Sequence, residues 1–276
     1  MQQPLGREFL RFFLIFITTV VTFFFCLIFY GAWHDEWSGY NASTMVSDGM
    51  CNVAVVSIMG DIVPYHETTE YRATTPDDVR LILSAAMNEP SIVGVLLRIN
   101  SPGGTPAASS LMSEYIAEST LPVAAFVGDY GTSGAYLAAS AADTIIASPY
   151  ADIGGIGVTM SYLDNSAQNE TSGVNYVSLT SAPFKDYGSP EKELTEEERA
   201  LFMRDLAIYH EQFVADVASY RSLPTEDIAR LADGASLPAK LALEARLIDA
   251  VGSEKTVRTW FAEKTGMPLD SIIFCE

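Results

Sequence analysis

Two glycine-rich stretches carry the residue types best suited to chemistry. The first is Asn100-Ser101-Pro102-Gly103-Gly104, which follows an apolar run and precedes a helical one. Glycine lets the backbone approach a ligand and turn its N–H groups toward it. The N-terminus of the next helix adds partial positive charge. Together these build an oxyanion hole without any side chain. The same letters also describe a plain tight turn between strand and helix. The second stretch is Gly128-Asp129-Tyr130-Gly131-Thr132-Ser133-Gly134-Ala135-Tyr136. Ser133 is flanked by small residues and opens a helix, as a nucleophile does on a strand–helix elbow, although the letters are G-x-S-G-A and not G-x-S-x-G. The competing reading is a serine that only caps the helix.

A nucleophilic serine needs a base. The histidines are His34, His66 and His210. His34 adjoins an apolar N-terminal run, His66 sits in a polar stretch, and His210 lies beside the apolar stripe of a long helix. None is well placed for a Ser-His-Asp triad. A lysine serves instead when burial makes its neutral form accessible. The lysines are 185, 192, 240, 255 and 264. Four lie on or beside charged, helical segments. Lys185 lies in Ala182-Pro183-Phe184-Lys185-Asp186-Tyr187-Gly188-Ser189-Pro190, among apolar and turn residues. An ordinary loop lysine is the other reading of that position.

The elements that must position these residues alternate between apolar and amphipathic runs. Strands are predicted at Val53–Ile58, Ile92–Ile99, Val123–Val127, Thr144–Ala147 and Val174–Leu179. Thr75-Pro76-Asp77-Asp78 starts a helix to about Asn88, with Thr as cap, Pro at the first position and acids in the first turn. Further helices are predicted at Thr105–Glu118 and Ser133–Ala142. Thr195-Glu196-Glu197-Glu198 is a capping box. Behind it Phe202, Leu206, Tyr209, Phe213, Val217 and Tyr220 form an amphipathic stripe. Shorter helices are predicted at Thr225–Leu231, Ala239–Ala245 and Lys255–Thr265. Buried strands alternating with helices argue an α/β fold with a largely parallel core.

The chain is 276 residues long and 49% hydrophobic, yet its formal net charge is -19. Phe12–Trp33 accounts for much of the apolar excess: 18 of its 22 residues are apolar or aromatic. That length spans a bilayer. Arg7 and Arg11 precede it and Asp35 and Glu36 come after it, which orients the N-terminus inward and the bulk outward. The organisation expected is a cytoplasmic tail 1–11, a transmembrane anchor 12–33, a linker 34–51 and one domain 52–276. The acidity disfavours nucleic acid. Three cysteines in so long a chain exclude a disulfide scaffold. Cys51 and Cys275 either pair or stand as isolated thiols.

These pieces together resemble the signal peptide peptidase A family, Ser-Lys serine proteases with a fold related to Clp protease and the crotonases. The resemblance rests on Ser101–Gly104, Thr132–Tyr136, the block Ala151-Asp152-Ile153-Gly154-Gly155-Ile156-Gly157-Val158, and Lys185–Pro190 with Leu194–Glu198 behind it. It spans roughly Val53–Gly252. The 52-residue step from Ser133 to Lys185 is similar to the short, single-domain, membrane-anchored form. The resemblance implies an α/β Clp protease/crotonase-like domain with repeated strand-strand-helix units, preceded by one N-terminal transmembrane helix. It makes Ser133 the nucleophile and Lys185 the general base, with backbone N–H groups of Gly103, Gly104 and Gly134 holding the oxyanion. Thr105, Ile153, Gly154, Gly155, Ile156, Gly157 and Val158 would bind substrate, the latter six as an edge for an extended peptide. It implies no cofactor and no metal. It also implies a homo-oligomeric ring in which neighbouring subunits share the dyad. Departures are Gly134-Ala135-Tyr136-Leu137 where a second glycine and paired aromatics are usual, and Arg246 where glycine is usual.

The function expected is a membrane-anchored serine endopeptidase that degrades residual signal peptides or other apolar membrane-derived peptides. Residues 12–33 would sit in the cytoplasmic membrane, with the catalytic domain on the periplasmic or extracellular side. The alternatives are a protease of a specific membrane-protein partner, such as a stomatin, and a catalytically inactive crotonase-like scaffold. A thioester enzyme would need a basic cluster for CoA phosphates, and the sequence has none.

Overall fold

The structure, a computed structural model, describes residues 16–25, 46–47, 49–66 and 72–275. The chain divides into two compact units, Met1–Met45 and Val46–Glu276. In the first, residues 16–25 are helical. No helix among the described residues is long and apolar enough to cross a membrane. The remainder of Phe12–Trp33, the tail 1–11 and most of the 34–51 linker lie outside the described residues.

The second unit is built on a mostly parallel sheet. Strand β1 (Val53–Ile62) is joined to β2 (Ala73–Thr74) and then to helix α1 (Pro76–Asn88). Strand β3 (Gly94–Gly104) leads into α2 (Pro106–Ala117), and β4 (Val123–Thr132) into α3 (Gly134–Ser140). Next come β5 (Thr144–Ala147), β6 (Asp152–Gly154), α4 (Ser166–Thr171), α5 (Glu196–Arg221) and α6 (Thr225–Leu231). The chain closes with β7 (Ser236–Pro238), α7 (Ala239–Glu244), β8 (Ala250–Val251) and α8 (Glu254–Thr265). The sheet order is β2-β1-β3-β4-β5-β8, every pair parallel. β6 pairs parallel with β4 and antiparallel with β7. Central strands covered on both faces read as continuous apolar runs. In β3, Val95, Leu96, Leu97 and Ile99 are all buried, Leu97 toward the larger core and Leu96 toward a smaller one with Val257 and Phe261.

The strands outrun the predicted ones. β3 continues through Asn100–Gly104 and β4 through Gly128–Thr132, so the first glycine-rich stretch is strand and not tight turn, and the second is strand up to Thr132. Irregularities accompany these continuations. The register shifts between Met59 and Asp61 in β1 and between Ile99 and Ser101 in β3. β4 pairs with β5 over its first half and with β6 over its second. Bulges of this kind increase twist and re-aim a strand end. Here they bring the ends of β3 and β4 together.

Two predicted features are corrected. Val174–Leu179 forms no strand: the segment is exposed throughout and pairs with no ladder. Its β-prone letters have no sheet edge to join within the chain. The α5 stripe is also only half covered. Phe213 and Val217 are buried, whereas Tyr209 is exposed and Phe202 half-exposed. Phe202 stacks on Tyr187 at 4.8 Å and on Tyr162 at 6.5 Å between ring centroids.

Cys51 and Cys275 are joined in a disulfide, with Cα atoms 5.1 Å apart and a sequence separation of 224. Beside it the Cys275 N–H donates to the Val53 carbonyl at 2.9 Å, and Phe274 bridges to Val53. The bond ties the last residues to the first strand. Replacing Cys275 by serine is expected to cost about 2–5 kcal/mol of stability. Thermal unfolding with and without reductant checks this, because reductant should lower the wild-type midpoint and leave the Cys275→Ser midpoint unchanged.

Candidate active site

Ser133 stands between the end of β4 and the start of α3 with φ 52° and ψ -129°. For a residue with a Cβ this conformation costs about 1–3 kcal/mol and persists only where the surroundings impose it. They do so here. The Ser133 N–H donates to the Gly154 carbonyl at 2.7 Å, and its own carbonyl accepts from Tyr136 and Leu137 at 2.9 and 3.1 Å. The side chain caps nothing, and its hydroxyl makes no hydrogen bond to any described residue. The helix-capping reading of Ser133 is therefore set aside. The helix it opens is buried at every residue from Gly134 to Ser140. Tyr136 anchors that helix, its hydroxyl donating to the Leu247 carbonyl at 2.8 Å.

The glycines permit an approach that side chains would prevent. A Cβ on Gly103, at φ 102°, would lie 2.7 Å from the Gly134 nitrogen and 2.8 Å from the Ser133 Cβ. One on Gly104 would meet the Ile62 carbonyl oxygen at 1.9 Å. One on Gly134 would lie 2.0 Å from Ser109 Oγ and 3.4 Å from the Gly104 nitrogen. Backbone nitrogens of Gly104 and Gly134 thus come close beside Ser133. Gly134 is the first residue of α3, where an N–H has no intrahelical acceptor. Ser101 locks the β3 end, its hydroxyl donating to the Gly60 carbonyl at 2.6 Å and accepting from Gly103 at 3.1 Å. The arrangement sets the backbone nitrogens of Gly104 and Gly134 near one another beside Ser133.

Ser133 lines two cavities. The larger, of about 470 Å³, also has Gly104, Thr105, Gly134, Leu137, Phe213 and Asp216 on its walls. The smaller, of about 350 Å³, has Gly155, Gly157, Val158, His210 and Asp233. The block Ile153–Val158 is divided. Gly155, Gly157 and Val158 line the cleft, whereas Ile153 and Ile156 are in the core. Gly154 is buried and supplies the carbonyl that holds the Ser133 N–H. The Ile153–Gly154 backbone is already paired on both sides, by β4 and β7. His210, beside the apolar stripe in sequence, lines the smaller cavity together with Ser133. Sequence reasoning missed Ser109, Gln212 and Asp216. Asp216 carried no distinguishing signal, since an acid on an amphipathic helix reads as a solvated face.

Lys185 is exposed, in a turn where its N–H donates to the Ala182 carbonyl at 3.2 Å, and it lines neither cavity. The structure of one chain does not bring it to Ser133. The lysine with shielded partners is Lys192. Its ammonium donates to Glu198 at 2.6 Å and Asp186 at 3.3 Å, and Glu198 is buried. Hydrogen bonding to Glu198 is the main cause that raises the Lys192 pKa above its ordinary value, with Asp186 adding to it. A lysine held protonated in this way is a structural cation and not a base. Among the described residues no group of acidic, histidine and cysteine side chains could hold a metal ion.

The sequence matches the family described as Peptidase family S49 over residues 116–267, more than half of the chain and including Ser133 and Lys185. The chain belongs to peptidase family S49. This bears out the resemblance to signal peptide peptidase A. The chain is 31% identical to a Methanocaldococcus jannaschii protein named as a protease, over 63% of this chain and 57% of that one. It is 30% identical to an Enterococcus faecium protein named as a signal peptide peptidase, SppA, over 62% of this chain and 50% of that one. It therefore spans about half the length of these relatives. Its fold is similar to the solved structure of a membrane-bound stomatin-specific protease, in a mutant form, with a TM-score of 0.55 over 83% of this chain and 94% of that one at 16% identity. Arg246, where the family usually has glycine, has φ 62°, a left-handed conformation that glycine adopts without strain.

Two predictions come from the packing. Gly134→Ala is expected to destabilise by about 1–3 kcal/mol through the clash with Ser109. The same substitution should cost less in a Ser109→Gly background, which a double-mutant cycle of unfolding free energies would measure. For Glu198, hydrogen bonds from Lys192 and then from the Thr195 N–H pull the carboxyl below its ordinary 4.5. Its stabilising contribution is then complete above the unfolded carboxyl's pKa and lost as pH falls through the depressed folded value. Glu198→Gln should flatten the fall in stability below about pH 4.5, as read from denaturant midpoints across pH.

Proposed function

We propose that this S49 chain is a serine endopeptidase with Ser133 as nucleophile and Lys185 as general base. The observation that carries the reading is Ser133 itself, held in a strained conformation with a hydroxyl that caps nothing, beside two backbone nitrogens. In the step proposed, neutral Lys185 takes the Ser133 proton and Oγ bonds to a peptide carbonyl carbon. The carbonyl oxygen gains the electron pair and is held by the Gly104 and Gly134 N–H groups. The lysine then protonates the leaving amine as the C–N bond breaks, and water releases the acyl group.

The base comes from a neighbouring copy. Lys185 lies outside the Ser133 cavities of its own chain, and the segment carrying it exposes Leu163, Val177 and Leu179 at 78%, 75% and 95%. So much uncovered apolar surface calls for a partner. A ring of copies would cover it and complete the dyad together. The membrane side of the reading rests on the apolar run 12–33, with Arg7 and Arg11 before it. The Cys51–Cys275 disulfide supports an oxidising, outward-facing compartment. Apolar membrane-derived peptides, signal peptide remnants among them, are the substrate class that such an anchor brings nearest. A protease of one membrane-protein partner is the narrower version of the same reading.

One observation favours a second base. His210 shares the smaller cavity with Ser133 within a single chain. The full chain, purified in mild detergent and given unstructured apolar peptides, separates the two. Ser133→Ala and Lys185→Ala should each fall to background, and mixing them during assembly should restore part of the activity. Loss of activity in His210→Ala with retention in Lys185→Ala would assign the histidine as base. Equal cleavage by wild type and Ser133→Ala would remove the nucleophile.

A further inference from the structure

The larger cavity beside Ser133 has walls of two kinds. Leu137, Val158 and Phe213 make it apolar, and Asp216 gives it one carboxylate. Asp216 is half-buried on α5, one turn beyond Gln212, whose side-chain amide donates to Asp216 Oδ1 at 2.7 Å. That bond fixes one carboxylate oxygen. Asp216 has no cationic partner among the described residues, and no lysine or arginine lines either cavity. The cavity thus sets an apolar wall beside a carboxylate whose second oxygen has no cation near it among the described residues.

We propose that this cavity is a selectivity pocket for a cationic side chain, lysine or arginine, on the acyl side of the cleaved bond, and that Asp216 makes the selection. Both side chains combine an apolar stem with a charged, hydrogen-donating end. The stem fits Leu137, Val158 and Phe213 while the end pairs with the open oxygen of Asp216. A purely apolar side chain would leave the second carboxylate oxygen facing it without a donor. An acidic one would meet a like charge. At about 470 Å³ the cavity has room for a long side chain. Its position against Gly104 and Gly134 puts the residue whose carbonyl enters the oxyanion site next to it. The inference rests on the peptidase reading for the role of the pocket, but the ligand preference is measurable without turnover.

The experiment uses the full chain in mild detergent with Ser133→Ala, and fluorescent hexapeptides that differ only in a C-terminal arginine, lysine, norleucine or glutamate. Fluorescence anisotropy gives the affinities. Arginine and lysine peptides should bind about tenfold or more tighter than norleucine, with glutamate weakest. Adding the near-isosteric Asp216→Asn should erase that ratio, and Asp216→Lys should turn it toward glutamate. Equal binding of all four peptides, binding of none, or a cationic preference that survives Asp216→Asn would overturn the proposal. Wild type is given the same sequences extended by two residues beyond the variable one, so that a peptide bond follows it; cationic preference with no cleavage of these extended peptides would uphold the pocket and remove the peptidase reading. Cleavage without the preference would do the reverse.

Discussion

The site depends on one close approach, between the backbone at the end of β3 and the backbone at the end of β4. Gly103 and Gly134 meet with no space for a Cβ on either, and Gly104 presses on Ile62 in the same way. The approach needs both strands to bend, and the register shifts in β1 and β3 supply that bend. It also fixes Ser133 at positive φ, because the residue must leave β4 and enter α3 within one step. Helix α3 offsets the strain. It is buried over its whole length, and its tyrosine hydroxyl is bonded to the chain 111 residues later. Burial of that helix is what holds the serine in a conformation it would otherwise leave.

Charge separates the two lysines of the 185–192 segment. Lys192 is tied to Glu198 of the α5 capping box and to Asp186, so it docks the segment onto the start of the long helix. The pairing keeps its proton on. Lys185 lies earlier in the same segment, is exposed, and has no carboxylate partner among the described residues. A dyad proposed between copies would set it against a neighbour, which would couple activity to assembly.

Local signals in the sequence were reliable where local physics decides the structure. Thr75-Pro76 with Asp78 and Thr195 with Glu198 each specify a reciprocal cap, and α1 and α5 begin at those caps. Thr144–Ala147 is a strand with the predicted bounds because it is buried on both faces. Legibility ended where a partner decides. Asn100–Gly104 and Gly128–Thr132 carry turn letters, yet they are strand because neighbouring strands hold their N–H and C=O groups. Val174–Leu179 carries strand letters and has no neighbour. β6, β7 and β8 span two or three residues each, too short for any periodicity to register. Of the site, Ser133 and its glycines were legible because backbone geometry restricts the residue types. Asp216 was not, because a lone acid on an amphipathic helix has the same letters whether it faces solvent or a cleft.

The uncovered surface and the unfinished site point to the same missing element. Residues 160–187 expose Tyr162, Leu163, Val177, Leu179 and Phe184, and the N-terminal half of the α5 stripe lies beside them without full cover. Apolar burial of this kind contributes roughly 25 cal/mol per Å², so leaving it in water forfeits association energy. A neighbour docked there would gain that energy and lower the polarity around Lys185 at once. A dyad made within one chain would gain nothing from leaving those side chains exposed. Under the proposed function, a site completed between copies would cover this exposed surface.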